Sequence, residues 1–109
     1  MKILFDQGTP VPLRRALHPH TVDTAAELGW SSFQNGQLLE RVELEGYEVL
    51  VTTDQNLRYQ QNLTTRRIAV IVLMTTSWPR IRSGVGRVIE VVGAARSGAY
   101  TEVDFPLRV

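Results

Sequence analysis

Glu48-Val49-Leu50-Val51-Thr52-Thr53-Asp54 is an apolar, β-branched run that ends in an acid, and Lys2-Ile3-Leu4-Phe5-Asp6 near the start has the same form. Short apolar runs without polar alternation fit strands covered on both faces of a sheet. In a parallel sheet the carboxyl ends of the strands share one edge, and α/β proteins place their sites along it. Two carboxylates brought together there repel each other, and burial adds to the cost unless a cation sits between them. The pair Asp6 and Asp54 therefore points to a divalent metal site at a strand edge, and with it to phosphate chemistry.

Working outward, Arg67 to Met74 is the strongest strand candidate, a continuous β-branched run. His20 to Thr24 reads as a short edge strand, and Gly98 to Phe105 as a last strand that Pro106 ends. Between the strands lie helical patterns. Thr9-Pro10 reads as a helix start, with Thr9 as cap, Val11, Leu13 and Leu17 inward, and Arg14 and Arg15 outward. Ser31-Ser32-Phe33-Gln34 resembles a capping box. The helix that follows, from Gly36 or Gln37 to Glu45, turns Leu38, Leu39 and Val42 inward, and Gly46 stops it. Asp54 can cap a helix over Gln55 to Asn62. Trp78-Pro79 opens a final helix whose inner stripe is Ile81, Val85, Val88, Ile89 and Val92. Strands alternating with helices predict a single three-layer α/β/α domain over residues 1–109 with a small, mainly parallel sheet.

Composition narrows the function. The chain has 109 residues, 43% of them hydrophobic and 21% charged, which suits one globular core. There is no cysteine, which excludes disulfides, thiolate metal sites and a thiol nucleophile, and is consistent with a cytoplasmic protein. Met1-Lys2 leads straight into a strand, so no signal peptide is expected, and no apolar run is long enough for a membrane span. Net charge is +1, so any nucleic-acid contact must come from a local basic patch.

Other motifs carry less. His18-x-His20 has metal-ligand spacing without a third ligand nearby, and Pro19 favours a turn there. Gly84-Val85-Gly86 is too short for a phosphate loop. The serines lack a His and an acid at plausible spacing for a hydrolase. A receiver domain would require a lysine at a later strand end, and Lys2 is the chain's one lysine. Trp30 and Trp78 read as core or interface residues rather than base-stacking platforms. Phe105-Pro106-Leu107 is an apolar tail that either docks on a partner, including a second copy in a homo-oligomer, or covers its own core.

The opening strand ending in an acid, the Pro-rich first helix, the Gly29-Trp30-Ser31-Ser32 stretch before a helix, and Val49-Leu50-Val51-Thr52-Thr53-Asp54-Gln55-Asn56-Leu57 together resemble the short bacterial PIN-like proteins related to VapC-type toxins and the Mut7-C group. The resemblance covers most of the chain, through short motifs. It implies a PIN-like fold and a Mg²⁺- or Mn²⁺-dependent ribonuclease, the toxin component of a pair with an antitoxin protein. On that reading Asp6 and Asp54 are the catalytic metal ligands and Glu40 is a candidate third. Asn35, Asn56, Thr52 and Thr53 are supporting polar groups, and Arg14, Arg15 and Arg58 contact RNA, with Arg66 and Arg67 as further candidates.

The chain also departs from the family pattern. Gln7, Asn35 and Asn56 stand where the family often has acids. Those departures motivate the alternative, a catalytically degenerate PIN-like fold that acts as a binding or regulatory module.

Overall fold

A computed structural model describes residues 1–33, 35–60 and 62–106. Five strands, β1 (Lys2–Phe5), β2 (Thr21–Thr24), β3 (Val49–Thr52), β4 (Ala69–Leu73) and β5 (Tyr100–Val103), form one sheet in the order β2-β1-β3-β4-β5. Every neighbouring pair is parallel. Among the described residues five α-helices accompany them, α1 (Leu13–Ala16), α2 (Asn35–Leu44), α3 (Leu57–Gln60), α4 (Trp78–Ser83) and α5 (Val85–Gly93), with a short 3-10 turn at Leu63–Thr65. The chain is thus an α/β domain with an all-parallel sheet.

Burial explains the strands. All residues of β3 and β4 are buried, as the unbroken apolar runs require, whereas edge strand β2 alternates. On one face Ile3, Phe5, Val51, Ile71 and Leu73 pack against Leu13 and Leu17 at α1, Ile81 of α4, and Val88 and Val92 of α5. On the other, Leu4, Leu50, Val70 and Val72 pack against Leu38, Leu39 and Val42 of α2 and Leu57 of α3. Each such fully buried aliphatic side chain contributes about 1.5–3 kcal/mol relative to exposure. Gly46 ends α2 as expected, with φ at +82°, where a side chain would be strained.

The expectations at Thr9, at Val11, for one helix from Trp78 and at Ile89 are corrected. Thr9 does not cap a helix. It is buried, and its hydroxyl donates to the Val51 carbonyl of β3 (2.9 Å), so α1 begins only at Leu13 and Val11 is left 55% exposed rather than packed inward. The helix opened by Trp78 is not continuous, because α4 ends at Gly84 and α5 starts anew. The break changes the helical phase, so Val88 and Val92 point inward while Ile89 is 46% exposed. A side chain at Gly84 would place its Cβ 2.9 Å from Phe105 Cδ1, so the glycine makes room for that ring. Phe105 itself is buried in the core beside α4 and α5, so the tail covers its own core as far as it is described. The guanidinium of Arg80 donates to the Phe105 carbonyl and that of Arg87 to Asp104 (2.8 Å), fixing the segment there.

Gln34 of the expected capping box and Leu107 of the tail lie outside the described residues. A reciprocal capping box does form at Thr24 and Glu27, where each side chain accepts the other's backbone N–H (3.1 and 3.0 Å). No helix among the described residues is long and apolar enough to cross a membrane.

Candidate functional site

The strand order places a reversal at β1 and β3. From β1 the chain passes through α1 to β2 on one side, and then through α2 to β3 on the other. The loops leaving β1 and β3 therefore diverge to opposite faces, and the crevice between them is where open α/β sheets bind ligands. Asp6 immediately follows β1 and Asp54 lies two residues after β3.

A buried hydroxyl joins them. Thr52, fully buried at the end of β3, donates through Oγ1 to Asp6 Oδ2 (2.9 Å), and the same oxygen accepts the backbone N–H of Asp54 (3.1 Å). The Gln7 N–H donates to Asp6 Oδ1 (2.7 Å), and the Asn56 N–H to Asp54 Oδ1 (3.0 Å). Asp54 thus turns the chain toward α3, a local role Asp often fills. The Asp6 N–H in turn donates to the Val51 carbonyl (2.9 Å), which extends the β1–β3 ladder into the loop. Thr53 closes the gap from the other side, because a Cβ at Gly8 would lie 2.4 Å from Thr53 Oγ1. The two loops are in direct contact, and Gly8 permits it.

Neither Asp6 nor Asp54 forms an ion pair among the described residues. Each ionised carboxylate offers about four lone-pair positions, so these hydrogen bonds leave acceptor capacity on both. Two carboxylates without an arginine counterion suit a hard divalent cation that keeps several waters. The donor set is small. Among the described residues no three His, Asp or Glu side chains group as metal ligands, so Glu40 does not join Asp6 and Asp54. Glu40 instead sits on the exposed face of α2, beside Phe33, Arg41 and Leu44. The side chain of Asn35 lies outside the described residues, and Asn56 is exposed and reaches Asp54 through its backbone.

Set against known proteins, the chain is matched by no protein-family model, no curated protein and no solved structure.

The arginines of the expected RNA rim are differently placed. Arg14 is paired with Glu27, whose pKa is lowered by the Arg14 hydrogen bond and, next, by the Thr24 N–H. Arg58 lies 3.4 Å from Glu102, and its guanidinium covers the Tyr59 ring at 4.7 Å. The bond to the Tyr59 hydroxyl, and then the Glu102 charge, raise the Arg58 pKa. Both pairs are partly exposed, so they contribute little and can exchange partners. Arg66 is bound to Glu43 (3.0 Å), and the Arg67 backbone donates to the same carboxylate. Arg15 is exposed and forms no ion pair among the described residues.

Reading the residues in sequence missed Thr52 as the bridge and Gly8 as the permissive position. Thr52 was visible as a hydroxyl at the end of a strand buried on both faces, where a polar side chain must find a partner.

Proposed function

We propose that this chain is a Mg²⁺- or Mn²⁺-dependent ribonuclease of the PIN-like type, with Asp6 and Asp54 as its metal-binding carboxylates. The observation that carries the reading is the Asp6–Thr52–Asp54 connection at the β1–β3 reversal, free of arginine counterions among the described residues. The PIN-like resemblance of the sequence adds to it, and the role of a toxin held by an antitoxin rests on that resemblance alone.

Asp6 and Asp54 would hold the divalent cation, which would supply a water of lowered pKa and screen the charge of the scissile phosphate. The chain's own residues do the rest. Thr52 and the Gln7 N–H hold the Asp6 carboxylate in one orientation. The Asn56 N–H holds Asp54 and leaves its second oxygen to align water. In the reaction a water oxygen bonds to phosphorus, the bond to the leaving sugar oxygen breaks, and that oxygen takes up a proton.

The lack of a third acidic ligand among the described residues favours a second reading, a degenerate member that binds without cutting. The two part on one experiment. Calorimetric titration with Mn²⁺ and cleavage of end-labelled RNA should both be detected for the parent chain and both be lost in Asp6→Asn and Asp54→Asn. Mn²⁺ binding without cleavage establishes the second reading. Cleavage that survives both substitutions, or proceeds in EDTA, overturns the first.

A further inference from the structure

We propose that the groove between α1 and the α4–α5 pair is a track for single-stranded RNA, with Trp78 as a stacking platform and Arg15 and Arg82 as phosphate contacts. The inference rests on the ribonuclease reading above and names the surface that feeds that site.

The groove is open, about 880 Å³, and lined by Val11, Pro12, Arg14, Arg15 and Ala16 on one wall and by Trp78, Arg82 and Val85 on the other. Its lining includes three arginines and no acid. Arg14 is neutralised by Glu27, but Arg15 and Arg82 are exposed and unpaired among the described residues. Elsewhere Arg41 pairs with Glu45, Arg58 with Glu102 and Arg66 with Glu43, and Arg80 and Arg87 bind carbonyls of the tail, while Arg67 and Arg96, which form no ion pair among the described residues, line a groove that also holds Glu43 and Glu48. On a chain of net charge +1, uncompensated cations collected on one acid-free groove define a place for an anion.

Both walls begin at the carboxyl edge of the sheet. Val11 follows the Asp6 loop, and Trp78 follows the loop leaving β4. A strand lying in the groove therefore runs toward Asp6 and Asp54. Trp78 is half-buried and packs against the same core cluster as Ala16 and Val85, so its ring is held while it lines the groove. An indole beside guanidinium groups is the combination that binds unpaired bases and their phosphates without sequence preference. An acidic amphipathic protein segment is the other occupant of suitable charge. Continuity with the carboxylate edge favours the nucleic acid.

The test is fluorescence anisotropy of labelled oligouridine, about 15 nucleotides long, with the full chain in EDTA, so that binding is read without cleavage. Salt-dependent binding is expected, accompanied by quenching of tryptophan emission. Arg15→Gln and Arg82→Gln should each weaken binding and each lower the log–log salt slope by about 0.7. Trp78→Leu should weaken binding about tenfold, while Trp78→Phe keeps most of it. Both arginines are exposed, so their variants keep the test valid if Trp78→Leu fails to fold. Unchanged affinity and slope in the arginine variants overturns the proposal. So does a groove that ignores oligouridine but captures a Glu-rich amphipathic peptide. Groove-dependent binding with no cleavage when Mn²⁺ is restored counts against the ribonuclease reading alone.

Discussion

The hydroxyl of Thr52 donates to the carboxylate of Asp6 across 2.9 Å, joining residues 46 positions apart in the chain. The bond spans the reversal of the sheet, and its oxygen also takes the Asp54 N–H. One buried atom therefore sets the positions of both acids.

Replacing Thr52 by Val keeps the shape and removes that atom. The Asp54 N–H then loses its acceptor and Asp6 loses a donor, which should lower unfolding free energy by about 1–3 kcal/mol. Urea denaturation measures it, and an unchanged midpoint would show that the hydroxyl links nothing. Under the metal-site proposal, Mn²⁺ affinity should fall in the same variant, because Asp6 loses the hydroxyl that orients its carboxylate.

Gly8 and Thr53 are predicted to be coupled. Gly8→Ala forces its new methyl group against Thr53 Oγ1, at a cost of about 1–3 kcal/mol. Thr53→Ala clears the space, so the double variant should be more stable than Gly8→Ala alone. A double-mutant cycle reads the coupling directly, and simple additivity of the two changes would contradict the close approach of the loops.

Glu43 gives a pH dependence. Burial alone would raise its pKa, but the Arg67 backbone N–H and the Arg66 guanidinium outweigh it, so the pKa is lowered in the folded chain. A carboxyl depressed by folding adds stability that is complete above its unfolded value, about 4.3, and is lost as pH falls through the lower folded value. The stability difference between the parent chain and Glu43→Gln should therefore be full at neutral pH and shrink as pH drops below about 4. Urea midpoints taken across that range check it, and a difference independent of pH would exclude the assignment.

Phe105 is 4% exposed and rests on Gly84. Phe105→Ala should cost about 3–5 kcal/mol, a loss measurable as a large drop in the thermal midpoint. A change under about 1 kcal/mol would mean that the tail is not part of the core.

Much of the fold was legible because strands buried on both faces leave a simple trace. The runs Ile3–Phe5, Val49–Val51 and Ala69–Leu73 are apolar and buried at every position. Asp6 and Asp54 stood out for the same reason, as the first acids after such runs. Local signals misled where a distant group decided the outcome. Thr9 reads as a cap but is engaged by the Val51 carbonyl, and Gly84 interrupts a helical pattern because of a ring near the other end of the described chain. The pairing of Arg14 with Glu27 and of Arg58 with Glu102 follows from the packing of separate elements, which spacing along the chain does not encode. The groove under Trp78 was hidden likewise, since its walls come from opposite halves of the sequence.

The placement of β1 beside β3 has a bearing on biosynthesis. A nascent polypeptide that has emerged only as far as Glu48 carries Asp6 but neither Thr52 nor Asp54, and closing so long a loop is a slow, non-local step. The acidic pair thus comes into existence only after β3 has left the ribosome and seated itself beside β1. Under the ribonuclease proposal, a chain made only that far has no assembled site with which to cut RNA.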